Sequence, residues 1–360
     1  MIWHTAHVYY YEPDKNALLL DAVRPLLHRL RDIAPAAHVL RHWRQGPHLR
    51  LNFRTDPATW TTAVQPAIEE VVGGYLRTRP STANLDQQAL LAQHRLLAEQ
   101  EDERGPLTPW YPDNSIRYAP FDSRPHTLTD PEALDLLTDF YTDSTPLLFQ
   151  MLEHARFGHD TPELLALGLM LANSVTALPP ITRSYVSYRS HAEGFIARCG
   201  DPSATRARFE AYYRDHRDDV VDRVRAVIAT LEGHASIAVP YVREWAELIA
   251  GFRQRATPLI AAGKLIRPPV YDADAARALP SEFHRLIFGN RAYHRAVFGD
   301  PDFSRYRLLI DYTCLQIDRL GLTPPQRFRL CHLAANAVEE IYGQNAIESI
   351  RRYVAAHPND

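Results

Sequence analysis

Residues 38–54, His38-Val-Leu-Arg-His-Trp-Arg-Gln-Gly-Pro-His-Leu-Arg-Leu-Asn-Phe-Arg54, read as two short strands around a tight turn. The strands are His38–Arg44 and His48–Arg54, and Gln45-Gly46-Pro47 between them is turn chemistry. Alternation puts Arg41 and Trp43 on one face of the first strand and His42 and Arg44 on the other. His48, Leu49 and Arg50 alternate in the same way on the second strand.

Outward from this hairpin, Ile2–Tyr11 is β-rich, and alternation sends one of Tyr9 and Tyr10 inward. Asn16–Ile33 carries Leu19, Val23, Leu26, Leu27 and Leu30 at helical spacing. Thr59–Tyr75 is a second helix, and Ser115–Phe121 a fourth strand. The order β-α-β-β-α-β predicts a ferredoxin-like split βαβ part, interrupted by a helix at Leu85–Glu101. Everything beyond reads mainly as helix: Pro131–Phe140, Thr145–Arg156, Pro162–Ala177, Thr182–Ile196, Thr205–Leu231, Val242–Ala262, Pro280–Phe288, Asp302–Leu320, Pro325–Tyr342 and Ala346–Ala355. Thr323-Pro-Pro-Gln326 is a capping box with proline at the first helical position. The expected class is α+β, with a sheet-containing part at 1–125 and a mainly helical part at 126–360 packed on it as one functional unit. The Pro-rich breaks Gly105–Pro125 and Leu265–Pro280 are the expected hinges or active-site loops.

The chain has 360 residues, a globular composition and a net charge of −3, which argues against a nucleic-acid or membrane-surface binder. No apolar run reaches the length of about 18 residues that a membrane span needs, and the expected location is the cytoplasm. Of the 40 basic residues only Lys15 and Lys264 are lysines, so the cationic side chains are almost all planar forks suited to bidentate contacts. Cys199, Cys314 and Cys331 form neither a disulfide framework nor a zinc motif. His4 and His7 point to opposite faces of a strand, and His154 and His159 match one helix face poorly. No P-loop, GxGxxG, HExxH or GxSxG pattern is present. The expectation is an enzyme with no metal and no cofactor.

Four segments together resemble the lantibiotic dehydratase C-terminal domain family in its thiopeptide-type branch. They are Arg41–Phe53, Trp110–Tyr118, Ser187-Tyr-Arg-Ser-His-Ala-Glu-Gly-Phe195 and His332-Leu-Ala-Ala-Asn336, in the family's order, after a similar entry at Trp3–Tyr11. The resemblance implies action on a modified precursor peptide, made of a leader and a dehydroalanine-containing core. It implies one of two chemistries: elimination of glutamate from glutamylated Ser or Thr, or pyridine synthesis by a formal [4+2] aza-cycloaddition between two dehydroalanines followed by loss of water and leader. Asn114 stands where the family has an acid, with Asp113 one step earlier, and Ala337 stands where it has an arginine. Elimination needs a base and a cation for the leaving carboxylate, so the resemblance favours a stand-alone pyridine synthase over a split elimination enzyme. A non-catalytic leader-binding scaffold is the third reading, and homo-oligomerisation is left open.

The expected catalytic residues are Tyr293, Tyr9, His42, Glu103, Arg117 and His332. The expected substrate contacts are Trp43, Arg41, Arg44, His48, Arg50, Ser190, Ser281 and His284, with the arginine-rich hairpin as a dock for an acidic leader. Each has a bland alternative. The hairpin charges and the acids Glu101, Asp102 and Glu103 read equally as solvated. His332, Asn336 and Glu340 form a stripe at i, i+4 and i+8 that could face solvent, and Ser190-x-x-Glu193 is also a capping box.

Overall fold

The computed structural model describes residues 1–124, 126–266 and 269–359; Pro125, Arg267 and Pro268, in the two Pro-rich breaks, lie outside the described residues. Two compact units emerge: Met1–His159 with Arg319–Gly321, and Asp160–Asp318 with Leu322–Asp360.

In the first unit β1 (Ile2–Tyr9), β2 (Ala37–His42), β3 (His48–Thr55) and β4 (Ser115–Pro120) form one sheet in the order β2-β3-β1-β4. Every neighbouring pair is antiparallel. The β2–β3 turn depends on Gly46, whose φ is +104° and where a Cβ would lie 2.7 Å from the Tyr11 hydroxyl; both conditions select glycine. One sheet face carries Ala6, Val8, Leu49, Leu51 and Phe53, all fully buried. Trp60 packs on that face against His4, Phe53 and Tyr118. It belongs to the helix over 57–78, which packs on the helix over 16–30. Each buried Leu or Val of this layer contributes roughly 1.5–3 kcal/mol.

The sequence expects a helix break before Thr145, yet Pro131–Arg156 is one helix with Pro146 inside it. Proline removes a backbone donor, and the Ser144 and Thr145 hydroxyls just before it donate back to the Phe140 and Tyr141 carbonyls at 2.6 Å. This helix packs on β2 and stacks Tyr141 on His38, so it belongs to the sheet-bearing unit, which runs to His159.

The second unit is helical. Thr205–Leu231, expected as one helix, is Pro202–Asp215 and Arg217–Glu232 with His216 at φ −120° between them. Pro324–Tyr342 begins with the expected Thr323–Gln326 capping box and packs extensively on Val186–Ile196. Ser190 and Glu193 both lie inside that second helix, so they form no cap. Among the described residues no single helix is long and apolar enough to cross a membrane.

Candidate functional site

The sheet's second face is polar, because the sequence alternates polar residues on all four strands. In register across it lie Ser115, Tyr9, His48 and His42; then Arg117, His7 and Arg50; then Thr5, Asn52 and His38. Thr5 donates to Asn52 Oδ1 at 2.7 Å, and Asn52 Nδ2 meets His38 Nε2 at 3.0 Å. The Tyr9 ring lies between His48 and Tyr111, with centroids 4.7 and 5.0 Å away. Arg117 is exposed and holds its guanidinium 4.3 Å above the Tyr111 ring.

Two carboxylates face three arginines over this surface. Glu103 Oε1 is 3.3 Å from Arg44 and 4.0 Å from Arg50, and Glu103 Oε2 is 3.8 Å from Arg124. Asp122 lies 3.4 Å from Arg50 and 3.7 Å from Arg44. Of the three acids at the end of helix Gln87–Glu101, only Glu103 turns inward. Asp102 adopts the left-handed region at φ 48°, and the Glu103 amide closes back on the Ala98 carbonyl at 2.9 Å. Glu101 instead accepts from Trp43 Nε1 at 3.1 Å.

The histidines of this cluster are neutral at physiological pH. Burial first, then Arg50 and Arg44, holds His7 down to about 4. Burial and the same arginines hold His42 well below the usual imidazole range, and burial followed by His42 does so for His48. The His42 approach to Glu103 at 3.6 Å is therefore a contact of a neutral ring. His42 Nδ1 accepts from the Arg44 amide at 3.0 Å, which leaves its proton on Nε2, facing Glu103. His48 Nδ1 must donate to the Gly46 carbonyl at 2.8 Å, so its Nε2 is the acceptor.

Two hairpin expectations change here. Strand β2 ends at His42, so alternation does not extend to Trp43, which packs its ring on His42 and His94. Arg41 points to the opposite face and is consumed by Arg319 O at 2.9 Å and Asn16 Oδ1 at 2.7 Å; it is a structural joint. Arg44 and Arg50, in the hairpin expected to dock an acidic leader, both face the internal acids Glu103 and Asp122.

A cavity of about 700 Å³ opens in the helical unit, within the size range of ligand pockets. It gathers Ser190, Ser281, His284 and Tyr293 from segments nearly a hundred residues apart. Ser190 Oγ lies 3.0 Å from His284 Nε2, and His284 Nδ1 lies 2.8 Å from Ser281 Oγ. Ser281 is also the N-cap of helix Glu282–Gly289, which fixes the ring's position. Burial, then the charge of Arg198, holds His284 down to about 4. A neutral imidazole between two hydroxyls can pass a proton either way. Tyr293 lines the same wall; burial, then Tyr353, pushes its hydroxyl up to about 12, making it a neutral donor. Arg198, Arg307 and Asp311 also line the cavity and belong to no motif read above. The available signal was Arg307 and Asp311 at i, i+4 on one helix face.

His332 is fully buried, not on a solvent-facing stripe. Its Nε2 lies 3.2 Å from Glu210 and 3.1 Å from Asn336 Nδ2. Asn336 and Glu339 accept from Arg189 at 2.5 and 2.9 Å. In this enclosure His332 positions helices and touches no open space. Asn114 and Asp113 precede β4 rather than lying in it. Asn114 sits at φ 56° and bonds Ser81 through both side-chain ends, while Asp113 accepts from the Tyr11 amide at 2.9 Å. Neither carboxamide nor acid faces the cluster, and Ala337 is core.

A profile described as lantibiotic biosynthesis dehydratase C-term matches residues 3–338. The solved structure of TbtD, a pyridine synthase from thiomuracin biosynthesis, is 37% identical to the chain, covering 95% of it and 99% of TbtD at a TM-score of 0.79. TsrL, at 24% identity over 97% of both chains and a TM-score of 0.67, shares the fold. No curated protein matches the chain. The motifs and the profile match over residues 3–338 agree: this chain belongs to the lantibiotic dehydratase C-terminal domain family.

Proposed function

We propose that the chain is a thiopeptide pyridine synthase, joining two dehydroalanines of one precursor peptide in a formal [4+2] aza-cycloaddition and then releasing water and the leader. The observation that carries this reading is its 37% identity to a pyridine synthase over 95% of its length. We also read the sheet-bearing unit as ferredoxin-like, from its strand order and two crossover helices.

Much of the rate would come from holding the two alkenes together. One dehydroalanine and its preceding amide must become an iminol to serve as the azadiene, which calls for a base at N–H and a donor at oxygen. The Ser190–His284–Ser281 relay and Tyr293 place neutral hydrogen-bonding and proton-donating groups around one cavity. After ring closure the same neutral donors can protonate the departing hydroxyl, and a base removes the ring proton as the leader leaves as a carboxamide. Tyr9, His42, Glu103 and Arg117 are assigned to the polar sheet face, where Arg117 can hold a peptide oxygen. Glutamate elimination is less well supported, because Arg44 and Arg50 already face Glu103 and Asp122.

Mass spectrometry of the purified chain with two substrates tests this. A precursor carrying two dehydroalanines should split into a leader amide and a core with a new pyridine. Loss of glutamate from a glutamylated precursor, with the first substrate unchanged, would overturn the proposal in favour of elimination. Leader binding with neither reaction would favour the scaffold.

A further inference from the structure

Asp311 sits in the cavity of the helical unit among residues with assigned roles, yet it has none. It projects from helix Pro301–Arg319 into the space lined by Ser190, His284 and Tyr293. Its side chain is solvent-accessible, and no hydrogen bond or ion pair engages it among the described residues. Arg307, one turn earlier on the same helix, lines the cavity too. A structural carboxylate in this family of contacts looks different: Asp318, further along the same helix, clamps Arg327 at 2.6 and 2.8 Å. An acid left open beside a cation, inside a cavity, is the arrangement of a proton-transfer group.

We propose that Asp311 is the base that forms the azadiene, with Arg307 holding the amide oxygen; this deepens, and rests on, the pyridine-synthase reading. One carboxylate oxygen takes the amide proton as the N–H bond breaks. The electron pair forms C=N, and the carbonyl oxygen becomes an imidate oxygen facing the Arg307 guanidinium. The carboxylic acid then returns the proton to that oxygen, forming the iminol O–H. No atom or electron is gained or lost over the two transfers, and the carboxylate is regenerated.

The surroundings suit the task. Loss of bulk water around the carboxyl within the cavity raises Asp311, and the charges of Arg307 and Arg327 pull it back, leaving it at about 6. The facing helix Val186–Ile196 presents His191, held neutral by burial and then Arg327. Across the cavity stand the neutral His284 and Tyr293 and the cationic Arg198 and Arg183. Cys314 on the same helix and Cys331 beside it are held as thiols by burial. Among the described residues Asp311 is the only carboxylate that lines the cavity, and its ionisation falls close to neutral pH.

The test is single-turnover pyridine formation, read by mass spectrometry from pH 5 to 9 for the wild type, Asp311→Asn and Asp311→Glu, with leader affinity measured by fluorescence anisotropy. Wild-type rates should rise with pH through an apparent pKa near 6. Asp311→Asn should lose that limb and slow by about 100-fold or more, with leader affinity unchanged. Asp311→Glu should recover part of the rate with a displaced limb, and circular dichroism should show both variants folded. A wild type that makes pyridine and an Asp311→Asn variant within threefold of it, acid limb intact, would overturn this inference alone. A wild type that leaves the dehydroalanine substrate untouched removes the functional reading and this inference with it.

Discussion

His284 and Gly194 are matched to each other: a Cβ on residue 194 would stand 3.0 Å from the imidazole Cε1, so any side chain there would make the ring give way by a few tenths of an ångström. Gly194→Ala should push the ring off Ser190 and lengthen the 3.0 Å contact. We expect pyridine formation to slow by about 10–100-fold with leader affinity unchanged. Single-turnover mass spectrometry with parallel anisotropy checks this, and unchanged turnover would remove the relay from the mechanism.

Tyr293→Phe deletes one hydroxyl from the cavity wall and leaves the ring packed against Phe298 and Tyr353. Turnover should fall by about 100-fold with the melting temperature unchanged within about 2 °C. Equal losses of turnover and of leader affinity would mean that the residue binds rather than donates.

Glu103→Gln preserves shape but leaves Arg44, Arg50 and Arg124 with only Asp122 to balance them. Urea unfolding should show a loss of roughly 2–4 kcal/mol, since an uncompensated buried charge is costly. A loss below about 0.5 kcal/mol, the scale of an exposed pair, would show that water reaches the cluster.

Stability should fall as the pH drops from 6.5 toward 4. His7 titrates near 4 in the folded chain against a model-peptide value of 6.5, so across that window the unfolded chain binds protons that the folded chain does not. Each such group adds up to about 1.4 kcal/mol per pH unit, and His42, His48, His191 and His284 are shifted in the same direction. Asp311, shifted upward, opposes them as a single group. Urea midpoints at pH 8, 7, 6 and 5 should decline increasingly steeply below 6.5. His7→Asn should flatten the curve by one group's share, and a flat wild-type profile would contradict neutral burial.

Local rules made the hairpin, its glycine and the Thr323 cap legible, because turn and cap chemistry act over a few residues. Alternation separated His42 from Arg41 on one strand and paired His48 with Arg50 on the next, but it failed at Trp43, where the strand ends, and the shared face of His42, His48 and Arg50 comes from the strand register. The inward turn of Glu103 depends on a left-handed Asp102, which no periodicity announces. Pro146 inside a long helix and the break at His216 reflect packing overriding local signals. Ser281, His284 and Tyr293 stand in a polar stretch after a Pro-rich break and Ser190 on a polar helix face, but their convergence is tertiary. Asp311 escaped notice because an acid one turn from an arginine reads as an ordinary surface pair.

Arg319 has a consequence for synthesis on the ribosome. It lies among the residues of the sheet-bearing unit, donating to the Val39 carbonyl at 3.0 Å and to Ser144 at 2.7 Å and accepting from Arg41 at 2.9 Å. Most of that unit has been translated by His159, yet its interior stays incomplete until residues 319–321 emerge. The nascent sheet must wait, with those polar groups hydrated, through translation of almost the whole second unit. The two units are therefore not separable modules in order of synthesis, and a stop codon anywhere before Arg319 would leave the earlier one unfinished as well.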